Sequence, residues 1–134
     1  IEPGDRILLA RGATWNQQMT INASGSADRW CEIGAYGAGP RPRIIRNGDP
    51  NDRGIRLNNP SYWRLADLEV GYAGVGILVY YDTLGHEGLA FEDIYVHHCY
   101  GIFTRDMPHG PARDRAIQDR IFITSGILIT AAEM

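Results

Sequence analysis

The residues best suited to chemistry fall in two short runs: Tyr80-Tyr81-Asp82 with His86 close behind, and Arg105-Asp106 with His109. Tyr80 stands as far before Arg105 as Tyr81 does before Asp106. If the chain repeats at that interval, the runs lie side by side with Asp82 and Asp106 diagonal to each other. Two carboxylates can flank one glycosidic bond, about 5 Å apart for retention of configuration and about 6.5–9.5 Å apart for inversion. Tyrosine rings offer flat apolar faces to a pyranose, and the planar fork of Arg105 matches a uronate carboxylate. His86 and His109 also stand in these runs, and an imidazole is a better general base than a guanidinium, which keeps its proton. A plainer reading stands beside this one, in which the tyrosines cover the side of the fold and Arg105 pairs with Asp106.

Composition narrows the choices. The chain has 134 residues, 13 basic against 16 acidic side chains and a net charge of -3, and every basic residue is arginine. Without lysine, Schiff-base chemistry and a P-loop phosphate clamp are excluded for these residues. The mildly acidic balance argues against nucleic acid as a partner, because that binding rests on a positive field. No apolar run approaches the roughly 18 residues of a membrane-spanning helix. Cys31 and Cys99 fit neither a disulfide framework nor a CxxC metal site and read as free buried thiols. Sixteen glycines and seven prolines predict many turns and few long helices.

The elements that would position the candidate residues come from a repeat. Gly-Ile followed by alternating residues occurs at Gly54-Ile55, Gly76-Ile77, Gly101-Ile102 and Gly126-Ile127, and the last two intervals are equal. Between these pairs a second unit carries Asp67, Asp93 and Asp119, which are evenly spaced. Strands this short cannot bury an apolar face alone. Coiling them into triangular rungs stacked at about 4.8 Å buries a continuous column. Ile55, Ile77, Ile102 and Ile127 then form one inward stack, and Leu57, Val79, Thr104 and Ile129 the next. Alternation places Arg56, Leu78, Phe103 and Leu128 in one outward row, and Asn58, Tyr80, Arg105 and Thr130 in another. The three aspartates suit tight bends, bonding neighbouring amides.

The pattern resembles the right-handed parallel β-helix of the pectin-lyase-like superfamily. The resemblance is carried by Pro3-Gly4-Asp5-Arg6-Ile7-Leu8-Leu9-Ala10-Arg11-Gly12 with Trp15, by Ser24-Gly25, and by Ile33-Gly34-Ala35-Tyr36-Gly37, and it runs to about Ile129. It implies an all-β, single-stranded parallel β-helix of roughly five rungs, about 24 Å long at the strand spacing. Residues 1–53 would form N-terminal rungs and 54–134 the Gly-Ile rungs of one domain or segment. Members of the superfamily usually carry an N-terminal cap and further rungs. The expectation is therefore a solenoid open at both ends, belonging to a larger chain or completed by self-association. The resemblance further implies a secreted, carbohydrate-active protein with its groove over the Gly-Ile sheet. That groove would bind substrate through Arg56, Tyr80, Tyr81, Phe103, His86 and His109, with Asp82, Arg105 and Asp106 as the catalytic candidates.

Other motifs read more plainly. His97-His98 falls in a corner and reads as turn packing. His86-Glu87 is no HExxH zinc site, because position 90 is alanine. The acidic loop Asn47 to Gly54 is dense enough in oxygen for Ca2+, the one cofactor the sequence admits, yet Pro50 interrupts it and no glutamate closes it, so a turn is the better reading. The cluster Arg41, Arg43, Arg46, Arg53 and Arg56 meets either an acidic polysaccharide or Asp49 and Asp52. Lyases of the resembled superfamily often use bound calcium with a lysine or arginine base, and here Arg105 alone would serve. The functional expectation is a polysaccharide-binding and polysaccharide-degrading protein, lyase or glycoside hydrolase, acting on a plant or algal, uronate-containing glycan. Two alternatives stay open: a non-catalytic carbohydrate-binding module, and a structural or adhesin β-helix.

Overall fold

A computed structural model of the chain describes residues 1–100 and 125–132. Among the described residues there are twelve strands: β1 Arg6–Ala10, β2 Thr14–Trp15, β3 Met19–Ile21, β4 Cys31–Tyr36, β5 Arg43–Ile45, β6 Arg53–Asn58, β7 Trp63–Ala66, β8 Glu69–Gly71, β9 Val75–Tyr81, β10 Leu89–Glu92, β11 Tyr95–His97 and β12 Ser125–Ala131. Every third strand pairs in parallel with its counterpart. The result is three four-stranded sheets, A (β1-β4-β7-β10), B (β2-β5-β8-β11) and C (β3-β6-β9-β12). This is a parallel β-helix in which three strands make one triangular rung.

The core is the column enclosed by the sheets. Ile33, Ile55, Leu57, Trp63, Leu65, Val70, Ile77 and Val79 have no exposed surface. Trp63 brings its polar edge inside and satisfies it by donating Nε1 to the Ala23 carbonyl at 2.7 Å, as a buried indole must. The glycines of the Gly54-Ile55 and Gly76-Ile77 pairs have a steric cause. A Cβ on Gly54 would lie 2.3 Å from Val70 Cγ1, and one on Gly76 would lie 2.4 Å from Val96 Cγ1 and 2.7 Å from the Gly126 carbonyl oxygen. Valines of sheet B thus fill the space beside these glycines where the chain turns into sheet C.

The corners carry the backbone strain. Asp67 and Asp93 bend the chain from sheet A to sheet B at φ 56° and 50°, as expected of short polar residues that tolerate the left-handed region. Asp119 lies outside the described residues. At the next corner Tyr72 and His98 hold φ 56° and 49°, and their rings stack at 4.6 Å, 6° from parallel. The pair His97-His98 is therefore corner packing. One and two rungs below, Asn47 accepts a hydrogen bond from Asn16 at 2.8 Å. Charges run in order up the outside of sheet A, with Arg6 on Glu32 at 3.3 Å, Glu32 on Arg64 at 3.0 Å and Arg64 on Glu92 at 2.6 Å. Cys31 is buried and Cys99 half-buried, both free thiols.

The described residues form four rungs. β12 pairs directly with β9, setting Ile127 beside Ile77 and Thr130 beside Tyr80. Neighbours in sheet C at this step are thus separated in sequence by twice the interval of the Gly-Ile repeat; Gly101-Ile102 lies outside the described residues.

Candidate functional site

Sheet C turns its outer face to solvent with two rows in register. The first is Thr20, Arg56, Leu78 and Leu128, and the second Asn58, Tyr80 and Thr130. Ile55 and Leu57 beneath are fully buried, so the alternation read from the sequence fixes this face. Arg56 places its guanidinium 5.6 Å from the Tyr80 ring centroid and donates Nε to Asn58 Oδ1 at 2.8 Å. Asn58 in turn donates Nδ2 to Asn22 at 2.7 Å. Leu78 is nearly buried at 6% exposure although it lies on the outer row. The face is a strip of amides, one guanidinium and one tyrosine, held by one another.

Thr130 stands beside Tyr80 and Ala131 beside Tyr81. Arg105, Asp106, Phe103 and His109 lie outside the described residues.

Asp82 begins the loop that carries the chain from sheet C back to sheet A. Its carboxylate accepts from Asn59 Nδ2 at 2.7 Å, while Asn59 Oδ1 accepts the backbone N–H groups of Asp82 at 2.9 Å and Thr83 at 3.2 Å. Asp82 is exposed and pinned to the rung below. His86 uses both ring nitrogens within the corner, Nδ1 with Ser61 Oγ at 3.1 Å and Nε2 with Thr83 Oγ1 at 2.6 Å, and stacks on Tyr81 at 5.4 Å. Tyr81 packs on the core and donates its hydroxyl to the Pro60 carbonyl at 3.2 Å; burial pushes its pKa up. These two residues build the corner that Tyr80 and Asp82 stand on.

The acidic loop does not fit calcium. Asp52 gives one carboxylate oxygen to Arg46 Nε at 2.6 Å and the other to the Arg53 amide at 2.8 Å, and Asp49 Oδ1 accepts the Asn51 amide at 2.8 Å. Calcium takes six to eight oxygens, and no group of three metal-binding side chains occurs among the described residues. The arginine cluster is dispersed by the same contacts. Arg41 donates to the Asp93 carbonyl at 3.0 Å, Arg43 pairs with Glu69, Arg46 with Asp52, and Arg53 donates to the Asp52 carbonyl at 3.0 Å. Burial, reinforced by the Arg56 charge and opposed by Asp52, lowers the Arg53 pKa. Arg56 is the member of the cluster that the sheet C face presents.

Sequence reasoning missed three residues at the corner between sheets C and A. Trp30 is 40% exposed and meets the Tyr62 ring edge-on at 5.7 Å, and the Tyr62 hydroxyl donates to the Glu87 carboxylate. Trp30 and Tyr62 precede Cys31 and Trp63, which are register partners in sheet A. Their signal was the aromatic residue immediately before β4 and before β7.

The sequence matches no protein-family model and no curated protein. Among solved structures, the chain is similar to the GH136 lacto-N-biosidase from Eubacterium ramulus in its native form, with a TM-score of 0.75 and 21% identity over 98% of this chain. The selenomethionine derivative of that protein gives the same TM-score and identity over 97% of this chain. The chain spans about a quarter of the length of those structures (25%). At this identity the likeness establishes the fold: a parallel β-helix of the kind a glycoside hydrolase is built on.

Proposed function

We propose that these rungs belong to an extracellular carbohydrate-active protein that binds a glycan across the outer face of sheet C and cleaves it by glycoside hydrolysis. The observation that carries this reading is the Arg56–Tyr80 pair flanked by Asn22, Asn58 and Thr130. A flat ring, a planar cation and carboxamides at strand spacing suit hydroxyl-rich rings. The shared fold with a lacto-N-biosidase supports hydrolysis over elimination, as does the lack of any lysine that could serve as a lyase base. Asp82, exposed at the edge of the strip and oriented by Asn59, is the carboxylate proposed to act there, one of the two that such a mechanism requires. A binding module without catalysis is the second reading, favoured by the capping bonds that Asp82 makes.

The test incubates the full chain with pectate, alginate, xylan and a glycan ending in lacto-N-biose, the unit for which the similar enzyme is named. New reducing ends without ultraviolet-absorbing unsaturated products support hydrolysis, and unsaturated products support a lyase. Retention in an affinity gel with neither product points to the binding module. Tyr80→Ala should abolish retention with an unchanged melting temperature. Undiminished retention refutes the assignment of this face.

A further inference from the structure

We infer that Trp30, Tyr62 and Glu87 form a subsite for an uncharged pyranose, at the corner between sheets C and A. The inference rests on the glycan-binding reading above and extends its strip around that corner.

The support is first a matter of rigidity. The loop bearing Trp30 is tied to the rung above by Gly25 N–H to the Ser61 carbonyl at 2.9 Å, Cys31 N–H to the Tyr62 carbonyl at 2.9 Å, and Ser61 N–H to Ser24 Oγ at 2.9 Å. It fits so closely that a Cβ on Gly25 would stand 2.7 Å from the Tyr62 carbonyl oxygen. An indole fixed this way, yet 40% exposed, loses little further freedom when a ligand covers it.

The second support is arrangement. Tyr62 takes one of the left-handed corners of this fold, at φ 57°. Gly88 sits at φ 84°, and a Cβ there would lie 2.6 Å from Tyr62 Cδ1 and 3.2 Å from Trp30 Cζ2. The glycine thus leaves room for the two rings to lie together at the surface, outside the core cluster.

The third is chemistry. An exposed indole face matches the C–H face of a sugar ring, and the Tyr62 hydroxyl and Glu87 carboxylate at its margin match sugar hydroxyls. The bond to Glu87 raises the Tyr62 pKa, so the phenol stays neutral. The Glu87 charge repels a uronate, whereas Arg56 at the other end attracts one. The two ends are continuous. Glu87 follows His86, which stacks on Tyr81 and bonds Ser61, the neighbour of Tyr62.

Calorimetric titration of the full chain with xylo-oligosaccharides, a lacto-N-biose-ended glycan and oligogalacturonates tests this. Trp30→Ala should weaken the neutral glycan at least about tenfold, the effect of truncating an aromatic anchor, with melting unchanged. Glu87→Gln should improve oligogalacturonate binding relative to the neutral glycan. Tyr36→Ala, at an exposed tyrosine elsewhere on sheet A, serves as the control and should bind as wild type. If Trp30→Ala binds as tightly as wild type while Tyr80→Ala binds weakly, the subsite is overturned and the sheet C face stands. If the wild-type chain binds none of the glycans, both are overturned.

Discussion

Replacing Gly76 with alanine probes the packing that holds sheet C in place. The new methyl would lie 2.4 Å from Val96 Cγ1 and 2.7 Å from the Gly126 carbonyl oxygen, well inside the optimum of about 3.5–4.0 Å for carbon contacts. Val96 is held in β11 against Val70, and the carbonyl belongs to the backbone of β12, so relief on either side displaces a strand. Overpacking costs about 1–3 kcal/mol, and two immovable neighbours put Gly76→Ala at about 3 kcal/mol. At about 4 °C per kcal/mol for a domain of this size, the melting temperature should fall by roughly 12 °C. Gly126→Ala makes the contrast. Its Cβ would meet Val96 Cγ1 at 3.3 Å, a contact that a small shift relieves, and losing glycine freedom in the unfolded chain returns about 0.4–1 kcal/mol. It should melt within a few degrees of wild type. Combining Gly76→Ala with Val96→Ala removes the methyl clash and leaves the carbonyl contact, so thermal unfolding followed by circular dichroism should show the pair to be less harmful than the sum of its parts. Equal losses at Gly76 and Gly126, or strict additivity with Val96→Ala, would refute the reasoning.

Two further outcomes follow from the corners and the sheet B face. Asn59 carries φ 52° and caps the amides of Asp82 and Thr83. Asn59→Ala loses the cap and strains the backbone, for about 2 kcal/mol, whereas Asn59→Gly loses only the cap and should cost about half as much; urea unfolding that ranks alanine no worse than glycine counts against this. Burial raises the Glu69 pKa, but the hydrogen bond and charge of Arg43, together with His97, outweigh it and leave the group below its ordinary 4.5. A depressed folded pKa adds stability that is complete above 4.5 and is lost as pH falls through the folded value. Melting temperature should therefore drop less between pH 4.5 and 3 in Glu69→Gln than in wild type, and parallel curves would count against the assignment.

The sequence made some of this legible and hid the rest for identifiable reasons. Gly-Ile pairs and aspartates at a near-constant interval betray a solenoid because successive rungs meet the same steric demands: Gly54 and Gly76 each lie beside a sheet B valine, and Asp67 and Asp93 each form a left-handed corner before sheet B. The outward residues Arg56 and Tyr80 could be named because strand alternation needs no long-range information. Neighbours across rungs were harder, because β12 pairs with β9 across twice the common interval and no local pattern fixes which Gly-Ile strands become neighbours. Trp30 and Tyr62 were hidden because the interval between them is longer than the common period, stretched by a long loop. The left-handed conformations at Tyr62, Tyr72 and His98 contradict intrinsic preference, so no local pattern announces them.

The alternating charges outside sheet A bear on how the chain winds. Arg6 faces Glu32, and Glu32 faces Arg64. Were β1 to join β7 with β4 left out, Arg6 would oppose Arg64, and like charges directly across a ladder are destabilising. The same column that ties correct turns together therefore penalises a skipped turn. The order of winding is written on the solvent side of the solenoid, where it does not depend on the near-identical aliphatic residues inside.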